Sequence, residues 1–285
     1  MHVINSMRSC TRVAAMAVAA ALINPRGAQA ARPCPPDINC SGSVNIDDLL
    51  AVINSWGMTG TAADVNGSGH VDIDDLLAVI NAWGMCQFNF GTVYANAEAH
   101  QIGLETLGST GPLSLAQSMY ERIVHDQSTI RAMTPGLANQ THSPAWLPNQ
   151  LIIGLTIVPA HPEFECLNTF YQVIQRQLLF TSGNTQYWVL TFAGKINVAA
   201  LGPIYDALGD VTSAEPNGLI GGENFWRIQA PPSGNWQLDI DDGFLDCFDG
   251  CDCHRYYRFY TYPDGAAMLV SYSEQGAPWC VFNNR

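Results

Sequence analysis

The strongest constraint on this chain is an internal repeat. Residues 37–57 read DINCSGSVNIDDLLAVINSWG and residues 64–84 read DVNGSGHVDIDDLLAVINAWG, identical at 16 of 21 positions with a period of 27 residues. Such duplication implies one short supersecondary unit built twice, neither copy large enough to bury a core alone. The first twelve residues of each copy carry oxygen side chains at loop positions 1, 3, 5, 9 and 12. These are Asp37, Asn39, Ser41, Asn45 and Asp48 in one copy and Asp64, Asn66, Ser68, Asp72 and Asp75 in the other. Gly42 and Gly69 stand at position 6, where the loop must turn sharply and a β-carbon is costly. A hard cation such as Ca2+ takes roughly six to eight oxygens, and this spacing wraps them around one point. Ser43 and His70, at position 7, would each add a backbone carbonyl. The expectation is two Ca2+ sites.

A short amphipathic helix follows each loop. Leu49, Val52, Ile53 and Trp56 fall at i, i+3, i+4 and i+7, and Leu76, Val79, Ile80 and Trp83 repeat the pattern. Gly57 and Gly84 are stop signals. No comparable helix precedes either loop, so the unit is a loop plus one helix. Two calcium loops in tandem, each followed by one helix, resemble the type I dockerin module over residues 34–86. The resemblance implies a protein–protein docking role toward cohesin-type domains, usually to anchor polysaccharide-degrading enzymes. It also implies partner contacts at loop positions 10 and 11, here Ile46-Asp47 and Ile73-Asp74. A scaffold of this size usually needs a metal or a disulfide staple, and Cys34 and Cys86 bracket it.

Residues 1–30 have the three parts of a secretory signal: Arg8 and Arg12, an apolar stretch from Val13 to Ile23, and Ala28-Gln29-Ala30 for cleavage. The expected location is therefore extracellular. With 12 Lys+Arg against 25 Asp+Glu the chain carries a net charge of -13. Loss of the signal removes three arginines and no acid. That balance argues against nucleic acid and anionic lipid as partners, and no apolar run is long enough to span a membrane. Cleavage also discards Cys10 and leaves an even number of cysteines, as an oxidised framework would have.

The expected organisation is a signal (1–30), a small all-α calcium-loop module (31–87) and a larger α+β domain (88–285). Residues 88–112, rich in Gly, Ser and Thr, read as a linker, and residues 114–132 as a helix. An ordered series follows: a strand at 151–158, a helix opening at 161–164 and running to about 172, strands at 178–181 and 187–192, a helix at 197–208 and a strand at 211–214. That order, β-α-β-β-α-β, predicts a ferredoxin-like core. The wording INVAALGPIYDALGDVTSAEPNGLIGG resembles the last helix and strand of bacterial protease propeptide and inhibitor-like domains. Those act by laying a strand and tail on a peptidase, which makes a peptidase-inhibitor role one alternative. Beyond it, strands at 225–229, 236–240, 255–262 and 267–272 predict a C-terminal β-hairpin region around Pro263-Asp264-Gly265.

Acids crowd Cys247, Cys251, Cys253 and His254: Asp239, Asp241, Asp242, Asp246, Asp249 and Asp252. Either the thiols and His254 hold a metal, or a disulfide staples a turn with solvated acids. Export favours the staple, with Cys247 and Cys251 as a local pair. Mature cysteines number three in the module and five beyond it. One bridge therefore crosses the boundary, or one thiol on each side stays free. There is no G-x-S-x-G elbow, H-E-x-x-H or P-loop. Whether residues 88–285 belong to a polysaccharide-degrading enzyme or its accessory, or bind polysaccharide, stays open. His125-Asp126 reads as part of a solvated helix face.

Overall fold

A computed structural model describes residues 32–156, 162–219, 221, 224–231, 234–245, 247 and 251–282. The expected export signal lies outside them, as do Asp246 and Asp249. The fold class is α+β.

In the repeat, β1 (Ser43–Val44) leads into α1 (Ile46–Asn54), and α2 (Ile73–Asn81) into β2 (Gly84–Met85). The strands pair antiparallel, Ser43 with Met85 and Val44 with Gly84. One period away, the equivalent contact is Val71 N–H donating to the Met58 carbonyl and Gly57 N–H to the Val71 carbonyl. The copies thus clasp each other about a pseudo-twofold axis. Their core is small: Val44, Val52, Ala63, Val71 and Val79. It accounts for only part of the expected apolar stripe. Val52 and Val79 are fully buried, whereas Ile53, Trp56, Ile80 and Trp83 face outward. Nine-residue helices around five small side chains have no room to cover two faces.

Residues 88–112 are not a linker. They carry α3 (Ala97–Leu107), capped by Asn96, whose side chain accepts from Ala99 N–H. The helix escapes the sequence reading because it is buried on more than one side, which spreads its apolar residues beyond a single stripe. Gly103 lies against Leu115, and a β-carbon there would sit 2.5 Å from the leucine methyl. Next comes α4 (Gln117–Met133).

β3 (Trp146–Thr156), α5 (Pro162–Phe170), β4 (Val173–Ser182), β5 (Thr185–Phe192), α6 (Val198–Asp206) and β6 (Val211–Gly218) follow in order. Their strands form one antiparallel sheet in the order β4-β5-β3-β6, the ferredoxin-like arrangement. Leu151, Ile153, Leu190 and Phe192 from the sheet pack against Phe164 and Leu167 of α5 and Leu201 and Tyr205 of α6. The C-terminal region extends the hairpin reading. β7 (Asn224–Gln229), β8 (Trp236–Phe244), β9 (Cys253–Thr261) and β10 (Ala267–Gly276) form a four-stranded meander. Trp226, Ile228, Leu238, Ile240 and Phe259 line its inner face, against Ile102 of α3 and Ile123 and Ile130 of α4. Met119 and Tyr120 of α4 touch both cores, so this helix pair joins the two sheets.

Candidate functional site

Helix capping builds the loops. At α1 the N-cap is Asn45, loop position 9, and position 12, Asp48, is the third helical residue. Asn45 Oδ1 accepts from Asp47 N–H at 2.7 Å, and Asp48 Oδ2 reaches back to Asn45 N–H at 2.9 Å. Asp72 and Asp75 repeat this at α2. The loop and the helix start are therefore one structure, a capping box whose acid also belongs to the loop. Asp48 and Asp75 are fully buried. Asp48 Oδ1 also takes the amides of Ile38 and Asn39, at 2.8 and 3.2 Å. Only deliberate hydrogen bonding makes such burial of a carboxylate tolerable.

The remaining oxygens gather on the same side. Asp37 Oδ1 and Asn39 Oδ1 share the N–H of Ser41, at 2.9 and 3.0 Å. Ser41 Oγ lies 3.0 Å from the Ser43 carbonyl and 3.5 Å from Asp37 Oδ1. Gly42 N–H binds Asp37 Oδ2 at 2.8 Å, with φ +85°, which explains the glycine. In the second loop Ser68 N–H is shared by Asp64 and Asn66, at 2.9 and 2.8 Å. There Ser68 Oγ meets the His70 carbonyl at 3.0 Å. Positions 1, 3, 5 and 7 are thus linked by short contacts in both loops, and position 12 meets the backbone amide of position 3 beside them, a set of neutral and anionic oxygens of the kind a hard cation takes. Position 9 differs. Its first oxygen caps the helix in both copies; Asp72 keeps a second one, whereas Asn45 offers its amide nitrogen, 3.5 Å from Ser43 Oγ.

The expected partner residues lie beside the loops. Ile46 and Ile73 are each 53% exposed, and Leu50 and Ile53 on α1, with Trp56 just past its end, match Leu77 and Ile80 on α2, with Trp83 just past its end. Among the described residues nothing covers either face. Sequence reading missed Leu50 and Leu77. Their repetition at i+4 from Ile46 and Ile73 was the available signal.

Four disulfides tie the described chain: Cys34–Cys86, Cys40–Cys166, Cys247–Cys251 and Cys253–Cys280. The first bridges the two ends of the module. The second runs from position 4 of the first loop to α5, and Gly42 lies against Gln87 and Thr169 beside it. The sequence hint was a difference between copies: Cys40 stands where the second copy has Gly67. In the acidic turn all three thiols are bridged. His254 Nδ1 lies 2.8 Å from Asp241 and its Nε2 3.0 Å from the Cys251 carbonyl. Those contacts leave neither the sulfurs nor the ring nitrogens to a metal. Asp242 pairs instead with Arg255, at 3.2 Å.

Two further polar clusters hold the helices to the sheets. Asp126 is buried, not on a solvated face as expected; it accepts from Thr261 Oγ1 at 2.6 Å, and Arg122 lies 3.5 Å away. His142 Nδ1 accepts from Trp226 N–H at 3.2 Å, so Nε2 carries the proton and donates to Glu105 at 3.0 Å. Glu98 takes Arg131 at 2.8 Å and the His142 amide at 2.6 Å. Every ring nitrogen and carboxylate of this seam is thereby engaged in joining α3 and α4 to β7.

Residues 35–83 match the model of the Dockerin type I domain family. That match covers under a fifth of the chain and spans both loops and both helices. No curated protein and no solved structure matches the chain. Dockerin type I domains bind calcium in general, and the match supports a docking role between proteins. No described helix is long and apolar enough to cross a membrane.

Proposed function

We propose that this is an exported docking protein. Its module, residues 31–87, binds two Ca2+ ions and seats a cohesin-type domain on the exposed apolar face of α1 or α2. Residues 88–285 are the part it delivers. The observation that carries this reading is the duplicated face: the same four apolar side chains stand outward on both helices, with matching exposure, next to a cation-suited loop. Exposed apolar side chains in such register cost solubility and mark an interaction surface. Asp37, Asn39, Ser41, Asp48 and the Ser43 carbonyl would hold one ion. Asp64, Asn66, Ser68, Asp72, Asp75 and the His70 carbonyl would hold the other.

Because the two faces are equivalent, either helix can serve. Calorimetric titration against a panel of cohesin domains, with calcium and with chelator, tests this. Replacing Ile46 and Asp47 by Ala, or Ile73 and Asp74 by Ala, should weaken binding only slightly. Replacing all four should abolish it. Loss of binding from one pair alone would refute the symmetric docking surface. Binding to no cohesin domain would leave the module a calcium-stabilised cap.

A further inference from the structure

The C-terminal sheet ends in a second site, unrelated to the docking module. A cleft of about 690 Å3 opens between the segment 135–141, the adjoining ends of β7, β8 and β9, and the chain after β10. Its size falls within the roughly 300–1,000 Å3 of small-ligand clefts. Four features define its chemistry. Asn224 lines the wall, and its Oδ1 is buried without a hydrogen-bond partner among the described residues. Such an atom is costly unless a ligand or water donates to it. Asp242 and Arg255 pair on the wall, so they bring both an acceptor and donors without net charge. Burial raises the pKa of the Asp242 carboxyl despite the Arg255 hydrogen bond, as expected of a wall partly shielded from water. Finally, Trp279 stands on the rim with 64% of its surface exposed.

The backbone that carries this tryptophan is held in place. Its neighbour Cys280 is bridged to the fully buried Cys253 at the start of β9. Ala277 N–H donates to the Asp252 carbonyl and Cys280 N–H to the Ala277 carbonyl, so the chain after β10 is a stapled turn. A large exposed indole on a backbone anchored by a disulfide leaves only its own side-chain torsions to order, which reduces the cost of binding.

We propose that this cleft binds a neutral pyranose oligosaccharide, stacking a ring on Trp279 and hydrogen-bonding its hydroxyls to Asn224, Asp242 and Arg255. A sugar supplies what the walls lack: hydroxyls that donate to Asp242 and accept from Arg255, and a C–H face for the indole. The ligand is neutral because the wall pair cancels and the chain as a whole, at -13, repels anions. A peptide laid along β7 fits less well, since the Asn224 carbonyl already accepts from Ser143 N–H at 2.6 Å. The inference stands whether or not the module docks a cohesin domain.

The test uses the exported full chain without a docking partner. It is titrated with neutral hexasaccharides of β-1,4-glucose, β-1,4-xylose, β-1,3-glucose and α-1,4-glucose, with an oligouronate and an acetylated peptide library as comparisons. At least one neutral hexasaccharide should bind and shift the tryptophan emission. Trp279→Ala and Asn224→Leu should each weaken that binding about tenfold or more. Val93→Ala, at an exposed position outside the cleft, should leave it unchanged. Trp279 is a surface residue, so its variant keeps the fold, and circular dichroism checks Asn224→Leu. Binding to none of the neutral sugars, binding undiminished in both variants, or binding of peptides alone would each overturn the proposal.

Discussion

Asp48 and Asp75 bear the closest reading of any side chains here, because each is at once a helix cap and a candidate metal ligand. Removing either leaves partly buried backbone N–H groups without their acceptor, at about 1 kcal/mol each. The consequences should nevertheless differ. The second loop offers three acids, Asp64, Asp72 and Asp75, against two in the first, and affinity in such loops rises with carboxylate count. It is also the loop without a covalent anchor. Asp75→Ala should therefore lose more helicity than Asp48→Ala at limiting calcium, and circular dichroism during a calcium titration measures it. An equal or reversed loss would show that ligand charge does not rank the loops. His100 offers a pH prediction. Burial, with Lys195 adding to it, pushes its imidazole down to about 4 from 6.5. The neutral ring is thus favoured in the folded state. Its contribution is complete above pH 6.5 and is lost as pH falls through about 4, on the order of 2 kcal/mol in total. His100→Phe keeps the edge contact with Tyr94 but removes the titration. Urea midpoints at pH 7 and pH 4.5 should lie closer together in the variant than in the parent.

Among the elements, the two loop–helix units are alike in sequence and unlike in support. Cys34–Cys86 closes the two ends of the module and so ties both units, whereas Cys40–Cys166 fastens the first alone, beside Gln87 and Thr169; the second loop carries no bridge of its own. A loop held by bridges keeps its shape without metal, whereas a loop held only by its own hydrogen bonds depends on the cation. Ligand binding to the folded form alone stabilises it by about 2.7 kcal/mol at a hundredfold excess over Kd. Amide exchange in chelator should thus spare residues 37–54 and speed at residues 64–81. Added calcium should restore protection to the second stretch. Reduction of the bridges should make both loops metal-dependent. Uniform protection in chelator would show that calcium does not fold either unit.

For the whole molecule, the bridge from Cys40 to Cys166 decides most. It closes a span of 126 residues, worth about 4–5 kcal/mol in the chain-entropy account. It also fixes the docking faces relative to residues 88–285, so that a partner would hold the larger part in one orientation instead of on a tether. Arg32 adds an ion pair with Glu163 at 3.6 Å on the same side. Replacing Cys40 and Cys166 together by Ser should enlarge the radius of gyration in small-angle scattering and leave cohesin affinity nearly unchanged. An unaltered scattering profile would mean that noncovalent contacts suffice. The exported parent protein should label with no thiol reagent until it is reduced.

The repeat, the oxygen ladder and the βαββαβ order are all legible in the sequence, because each depends on residues close together in the chain. Loop positions and caps span a dozen residues, and strand or helix period reports burial on one face. Reading failed where burial came from several directions. Helix α3 sits between two sheets and shows no single stripe. Asp126 looks solvated by its neighbours on the helix, and only Thr261, far along the chain, reveals its burial. Cysteine parity showed that a bridge between the two parts was one of two options, and distance alone chose Cys166 for Cys40. The cleft beside Trp279 gathers residues from 135 to 281, a span over which no local pattern carries information. Sequence by itself thus determined the elements and the loop chemistry. Tertiary structure alone decided which faces stay open and which distant polar groups meet, because those depend on packing between elements and not on periodicity within them.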